Sequence, residues 1–196
     1  MTPPADPLEV LPASFTYAAA LEVGVSKHQL RRLLEAGELT RLGRGVYRSA
    51  SAEPAEEDLI EIALRARDAT LCLTSALSRH DLTDLIPRAI DVALPRTRRQ
   101  PQLTAPVRWH RFADETFALG RDEMVVEPGT TMGLYSPERC IVDAFRLRHL
   151  EGPELGIEAL RRWLRRRGAT PAKLLSFAQA FPPAHSAIAK TLRVLL

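Results

Sequence analysis

Residues 24–48 read GVSKHQLRRLLEAGELTRLGRGVYR, and the order of signals within them decides the fold of the N-terminal part. Ser26 suits a helix N-cap, and Gln29 three residues later completes a capping box, in which each side chain satisfies a backbone N–H at the helix start. Val25, just before the cap, is placed to staple onto Leu30. Leu30, Leu33 and Leu34 recur on one face of a 3.6-residue period, while Lys27, His28, Arg31, Arg32 and Glu35 fan around the other. Gly37 then stops the helix as a left-handed residue would. Residues 39–42 and 46–48 are short strand-like runs joined through Gly43-Arg44-Gly45, which predicts a hairpin with an arginine at its tip.

Upstream, residues 15–23 predict a second short apolar helix, started by Ser14 or Thr16 and ended near Gly24. The order helix, turn, helix, two-stranded wing is that of a winged helix-turn-helix, with residues 26–36 as recognition helix. Such modules also serve as protein-binding or purely structural domains. Here Lys27, Arg31, Arg32, Arg41, Arg44 and Arg48 face only Glu35 and Glu38 in the same stretch, so the charge balance favours DNA.

At 196 residues the chain can bury a sizeable core, as one large domain or as a small module plus a larger one. The formal net charge is +3, and of the 27 basic residues only Lys27, Lys173 and Lys190 are lysines. An arginine bias of this kind follows from a GC-rich genome as easily as from phosphate recognition, so it decides nothing alone. Cys72 and Cys140 stand far apart in apolar surroundings and lack the paired spacing of a zinc site. They read as buried free thiols of a cytoplasmic protein, and no metal or other cofactor is expected. The N-terminus has neither the basic start nor the apolar run of a signal peptide, and no stretch is long and apolar enough to span a bilayer.

Taken in order, residues 1–7 form a Pro-rich tail and residues 8–13 a short first helix or turn. Residues 49–54 read as a small polar linker, with Pro54 at the first position of a helix over 55–67 whose charges complement the macrodipole. Strand character follows at 70–73, 89–94, 107–112, 124–127 and 131–135, with a hairpin turn at Pro128-Gly129 and a short helix over 75–80. Ser136-Pro137-Glu138 is a strong helix start for 136–149. Helices are then predicted over 153–167, ended by Gly168, from a Thr170 cap to Pro182-Pro183, and over 184–196. The expectation is an α+β protein: a winged helix-turn-helix domain over 1–50, then a mixed α/β domain over 51–196 with a helical C-terminal end.

The run at 24–48, together with TSAL at 74–77, IDVALPR at 90–96 and SPERCIVDAFR at 136–146, resembles the AbiEi-type antitoxin family. Members pair with a nucleotidyltransferase toxin in abortive-infection and related operons. The resemblance implies that the winged domain binds double-stranded DNA, as inverted repeats in its own promoter, and represses the operon, while the C-terminal domain helps neutralise the cognate toxin. It carries the DNA-binding role onto Lys27, His28, Gln29, Arg31 and Arg32 of the helix and Arg44 of the wing. The alternative is a stand-alone winged-helix regulator whose C-terminal domain binds a small ligand or a protein.

Catalytic readings fare poorly. A Mg²⁺-dependent nuclease needs carboxylates and a lysine at close spacing, yet no Asp or Glu lies two residues before any lysine. The paired Asp-x-Asp of a nucleotidyltransferase is missing, so the chain reads as the partner of such an enzyme and not as an enzyme. Ser75, His80 and Asp81 invite a hydrolase reading, but no G-x-S-x-G elbow is present and Ser75 and His80 are five apart on a helix. Two further basic clusters offer phosphate or partner contacts: Arg96, Arg98 and Arg99 in a Pro-bounded loop, and Arg161, Arg162, Arg165 and Arg166 on a helix face opposite Ile157, Leu160, Trp163 and Leu164. Arg139 and Asp143, four apart, are expected to form a helix-stabilising ion pair.

Overall fold

The computed structural model describes residues 10–196, so the expected tail at 1–7 and the start of the expected first helix lie outside the described residues. Residues 11–13 are not helical. The chain divides into two compact units. The first runs to Arg67 and takes in Gln100–Pro106 and Met124–Met132, and the second holds Asp68–Arg99, Val107–Glu123 and Gly133–Leu196.

In the first unit, β1 (Ser14–Thr16) leads into α1 (Tyr17–Glu22), then α2 (Lys27–Glu35), β2 (Leu39–Gly43), β3 (Val46–Ser49) and α3 (Glu57–Arg65). The expected helix over 15–23 is therefore corrected at its start. Phe15 and Thr16 are strand, because they pair antiparallel with Tyr47 and Val46, and Thr16 caps α1 by accepting from the Ala19 N–H at 3.2 Å. The hairpin gains a third strand, in the order β1-β3-β2. Phe15, Ala20, Val25, Leu30, Leu33 and Leu39 form the core beneath it, so the leucine face of α2 is buried as its period requires. α3 also begins later than the sequence suggests. Its N-cap is Glu56, which leaves Pro54 ahead of the helix and not at its first position.

The second unit is built on a mixed sheet with strand order β6-β5-β4-β8-β7, from β4 (Thr70–Leu71), β5 (Ile90–Pro95), β6 (Val107–Phe112), β7 (Arg121–Glu127) and β8 (Thr130–Tyr135). The far end of the β7–β8 hairpin, turning through Gly129 at φ +84°, is counted with the first unit. β4 pairs antiparallel with β5 and parallel with β8, and β5 pairs parallel with β6. The helices are α4 (Leu73–Arg79), α5 (Asp114–Phe117), α6 (Pro137–Arg146), α7 (Arg148–Glu151), α8 (Pro153–Leu164), α9 (Pro171–Ala178) and α10 (Pro182–Leu195). Three expectations need correction here. The helix from Ser136 ends at Arg146 and α7 follows it. Pro182 and Pro183 open α10 where they were expected to end α9, since a proline at the first turn loses no helical hydrogen bond. Thr170 holds the N-cap position of α9, but its hydroxyl donates to the Gly168 carbonyl and caps nothing.

α6 is the centre of this unit. Ser136 caps it by accepting from the Arg139 N–H, and residues from Arg139 to Phe145 are all buried, against α4, α8, α9 and α10. The Arg139–Asp143 pair forms at 2.9 Å with both side chains fully buried. Arg139 also donates to the Thr116 and Leu119 carbonyls at 2.6 Å each, and its guanidinium lies over the rings of Tyr135 (4.3 Å) and Phe181 (4.7 Å). Arg146 bonds the other Asp143 oxygen at 2.9 Å and covers Phe112. The SPERCIVDAFR block thus supplies a buried ionic brace. A charge placed there without these partners would be too costly to bury.

Candidate nucleic-acid interface

The interface is built from α2 outward. Both halves of the capping box are present: the Gln29 N–H donates to Ser26 Oγ at 3.2 Å, and the Ser26 N–H donates to Gln29 Oε1 at 2.8 Å. Gln29 therefore has its carbonyl oxygen committed to the helix start. At the other end Gly37, at φ +72°, closes a Schellman motif in which the Gly37 and Glu38 N–H groups donate to the Leu34 and Leu33 carbonyls. Between these stops Leu30 and Leu33 are buried, and Lys27, His28, Arg31 and Arg32 are exposed. Arg31 makes an exposed pair with Glu35 at 3.1 Å, a contact that contributes little to stability.

The hairpin is anchored beside the helices. The Tyr17 N–H donates to the Gly45 carbonyl at 2.8 Å, tying the hairpin tip to the start of α1. The register shifts between Arg41 and Gly43, and Arg41 Nε bonds the Gly43 carbonyl at 3.1 Å. Arg41 and Arg44 are exposed. Gly43 owes its identity to Glu61 of α3, because a Cβ there would fall 1.8 Å from Glu61 Oε1. The Glu61 carboxylate in turn accepts the backbone N–H groups of Thr104 and Ala105, at 3.0 and 2.8 Å.

Arg48 is not part of this surface, which corrects its place among the expected DNA contacts. It is 4% exposed, pairs with Glu127, donates to Ser14 Oγ at 2.8 Å and bonds the Glu53 carbonyl. Val46 and Arg48 share the inward face of β3, so the cation is buried by strand periodicity and must be neutralised where it lies. Ser14, Glu61 and Glu127 are the supporting residues that sequence reading missed. The inward alternation of β3 signals that Arg48 needs an acid, but nothing local says which.

The other basic clusters belong to the second unit. Arg96 and Arg99 are exposed, and the Arg96 carbonyl is held by the Arg111 guanidinium. Arg98 pairs with Asp68 at 2.7 Å. The expected arc on α8 is divided: Arg162 pairs with Asp84 and Glu158, Arg166 is half-buried, and Arg161 and Arg165 remain exposed. Ser75, His80 and Asp81 do not assemble into a catalytic group. Ser75 Oγ accepts the Asp91 N–H at 2.8 Å, and His80 Nε2 lies 2.8 Å from the Tyr135 carbonyl oxygen. Cys72 and Cys140 are buried free thiols, and burial pushes both thiol pKa values up. Among the described residues no cluster of three or more His, Cys, Asp or Glu side chains is placed to hold a metal ion, and no helix is long and apolar enough to cross a membrane.

The chain is a mixed α/β protein with a helical C-terminal end. Residues 15–50, the segment that carries α1, α2 and the hairpin, match the family model described as transcriptional regulator, AbiEi antitoxin, which supports a transcriptional-regulator or antitoxin role. The match covers the decisive stretch of the resemblance read from the sequence, and the blocks at 74–77, 90–96 and 136–146 lie beyond it. Among solved structures, the RV2827C protein from Mycobacterium tuberculosis is similar over 92% of this chain and 76% of its own, at 18% identity and a TM-score of 0.49. None of the curated proteins matches the chain.

Proposed function

We propose that the chain is the antitoxin and autorepressor of a two-gene toxin-antitoxin operon. In this reading α1, α2 and the β2–β3 hairpin act as a winged helix-turn-helix, which binds inverted repeats in the operon's own promoter. The observation that carries it is the placement of Lys27, His28, Arg31 and Arg32 on the open face of a helix capped at both ends, with Arg44 on an anchored hairpin tip beside it. A rigid helix presenting cations and polar groups over its first turns suits the major groove, and an arginine on a short hairpin suits the neighbouring phosphates. Lys27 and His28 then reach base edges, Arg31 and Arg32 divide between guanine and phosphate, and Arg41 and Arg44 hold the backbone. The chain works by binding and not by catalysis, in the cytoplasm, and its second unit takes part in neutralising a cognate nucleotidyltransferase toxin.

Fluorescence anisotropy with the chain's own promoter DNA tests the operator half. Binding should be specific to the inverted repeats and should weaken steeply with salt, with a slope near 0.9 per neutralised phosphate. Co-expression with the adjacent gene tests the other half: rescue of growth by the full chain supports an antitoxin, and growth arrest that the chain does not relieve refutes it.

A further inference from the structure

We propose that the furrow between α8 and α10 receives an amphipathic helix with acidic flanks, contributed by a protein partner. Two hollows lie in succession along the same two helix faces. The first, about 330 Å³, is lined by Pro153 and Ile157 of α8, by Ala187 and Lys190 of α10, and by Phe145 and Arg148. The second, about 280 Å³, is lined by Arg161, Leu164 and Arg165 together with Leu195. Positions 153, 157, 161 and 164–165 follow one another at helical spacing on α8, and 183, 187, 190–191 and 195 do so on α10. The two helices therefore run in the same direction along one furrow, and α6, which packs against both, supplies its floor through Phe145. The twelve residues of α8 give it a length of about 18 Å, some three helical turns.

The chemistry of the walls selects the occupant. Ile157, Leu164 and Leu195 are only partly buried, so the floor keeps apolar surface for a ligand to cover. Arg148, Lys190, Arg161 and Arg165 stand exposed along the rim, and neither hollow is lined by an acidic side chain, although Leu196, the last residue of the sequence, also lines the second. Of the nearby acids, Glu151 pairs with Arg108 and Glu158 with Arg162, while the Glu154 carboxylate lies beside Gly152 and lines neither hollow. None of the four rim cations is paired with a carboxylate among the described residues. Apolar surface flanked by Arg148 and Lys190 at the first hollow and by Arg161 and Arg165 at the second complements a helix with apolar residues at i, i+4 and i+7 and carboxylates beside them. Nucleic acid would match the rim but leave the floor facing water. The inference does not depend on the operator reading, nor on the partner being a toxin.

The test is a selection on the full-length chain from displayed 14-residue helical peptides. Leucine is fixed at four positions of one face, and the flanking positions are drawn from Glu, Lys, Gln and Ser. Enrichment of Glu at the flanks is expected. The selected peptide should bind the R161E/K190E variant at least tenfold more weakly, and the Ile157→Ser variant more weakly as well, with thermal melting unchanged in both. The inference is overturned if nothing is enriched, if Lys is enriched, or if binding ignores the charge reversal. It is overturned equally if R161E/K190E loses promoter-DNA affinity while the peptide still binds, which would make the rim a phosphate surface.

Discussion

Arg48 and Glu127, 79 residues apart in sequence, form an ion pair whose side chains are 5% and 3% exposed. The pair joins β3, the central strand of the hairpin sheet, to the last residue of β7, just before Pro128-Gly129. Replacing Glu127 with leucine leaves Arg48 with only Ser14 Oγ and the Glu53 carbonyl. The expected cost is about 3–5 kcal/mol, the usual result of stranding a buried charge. The double replacement Arg48→Met with Glu127→Leu should recover part of that loss. Urea denaturation of the three variants measures both values.

Gly43→Ala should destabilise the first unit by about 1–3 kcal/mol, the typical cost of forcing extra volume into a packed site, because the new methyl meets the Glu61 carboxylate. Adding Glu61→Gly removes the obstacle and should relieve the clash specifically. A double-mutant cycle showing no coupling between the two positions would mean that Glu61 does not fix the residue at 43.

Specificity should reside on α2. His28→Ala and Arg32→Ala leave the capping box and the leucine face intact, and at least one should lower promoter affinity relative to random DNA by about 1–3 kcal/mol. Arg44→Ala should weaken binding to all sequences and flatten the salt slope. Ser26→Ala differs in kind, since it removes a cap worth about 1 kcal/mol and should first appear as lost helix stability. Anisotropy titrations on cognate and scrambled duplexes separate these outcomes.

Asp91 makes the second unit sensitive to acid. Burial pushes its carboxyl pKa up, but hydrogen bonds from His110 (2.8 Å) and Arg108 (2.6 Å) outweigh that and hold it below the ordinary value. A depressed folded-state pKa contributes stability that is present above the unfolded value of about 3.9 and lost as pH falls through the folded one. Asp91→Asn should therefore be less stable than the parent at pH 7, with the gap narrowing below about pH 4. Denaturant midpoints at pH 7 and pH 3 decide it.

The elements whose signals are local were legible in the sequence. Ser26, Gln29 and Gly37 fix α2 within a dozen residues, and β6 falls where strand character placed it, at Val107–Phe112. Signals that depend on distant partners were not. Phe15 reads as the start of an apolar helix until Tyr47 is known to lie beside it. Arg48 reads as one more basic residue of the hairpin until strand alternation turns it inward toward Glu127. Within the candidate interface the exposed cations of α2 were legible because helix periodicity separates them from the leucines, whereas the buried acids that set the hairpin came from segments far along the chain.

The two-residue strand β4 sits in the middle of its sheet, with β5 on one side and β8 on the other. Its partner Ala93 follows closely in the chain, but Gly133 and Leu134 are synthesised much later. A ribosome adding roughly 5–20 residues per second therefore leaves one flank of Thr70 and Leu71 without its native partner for several seconds. During that interval the β4–β5 pair presents an open edge at Thr70 and Leu71, short enough to limit mispairing but with backbone groups that still lack the β8 partner. Production of this chain is accordingly more vulnerable to stalling before residue 133 than after it.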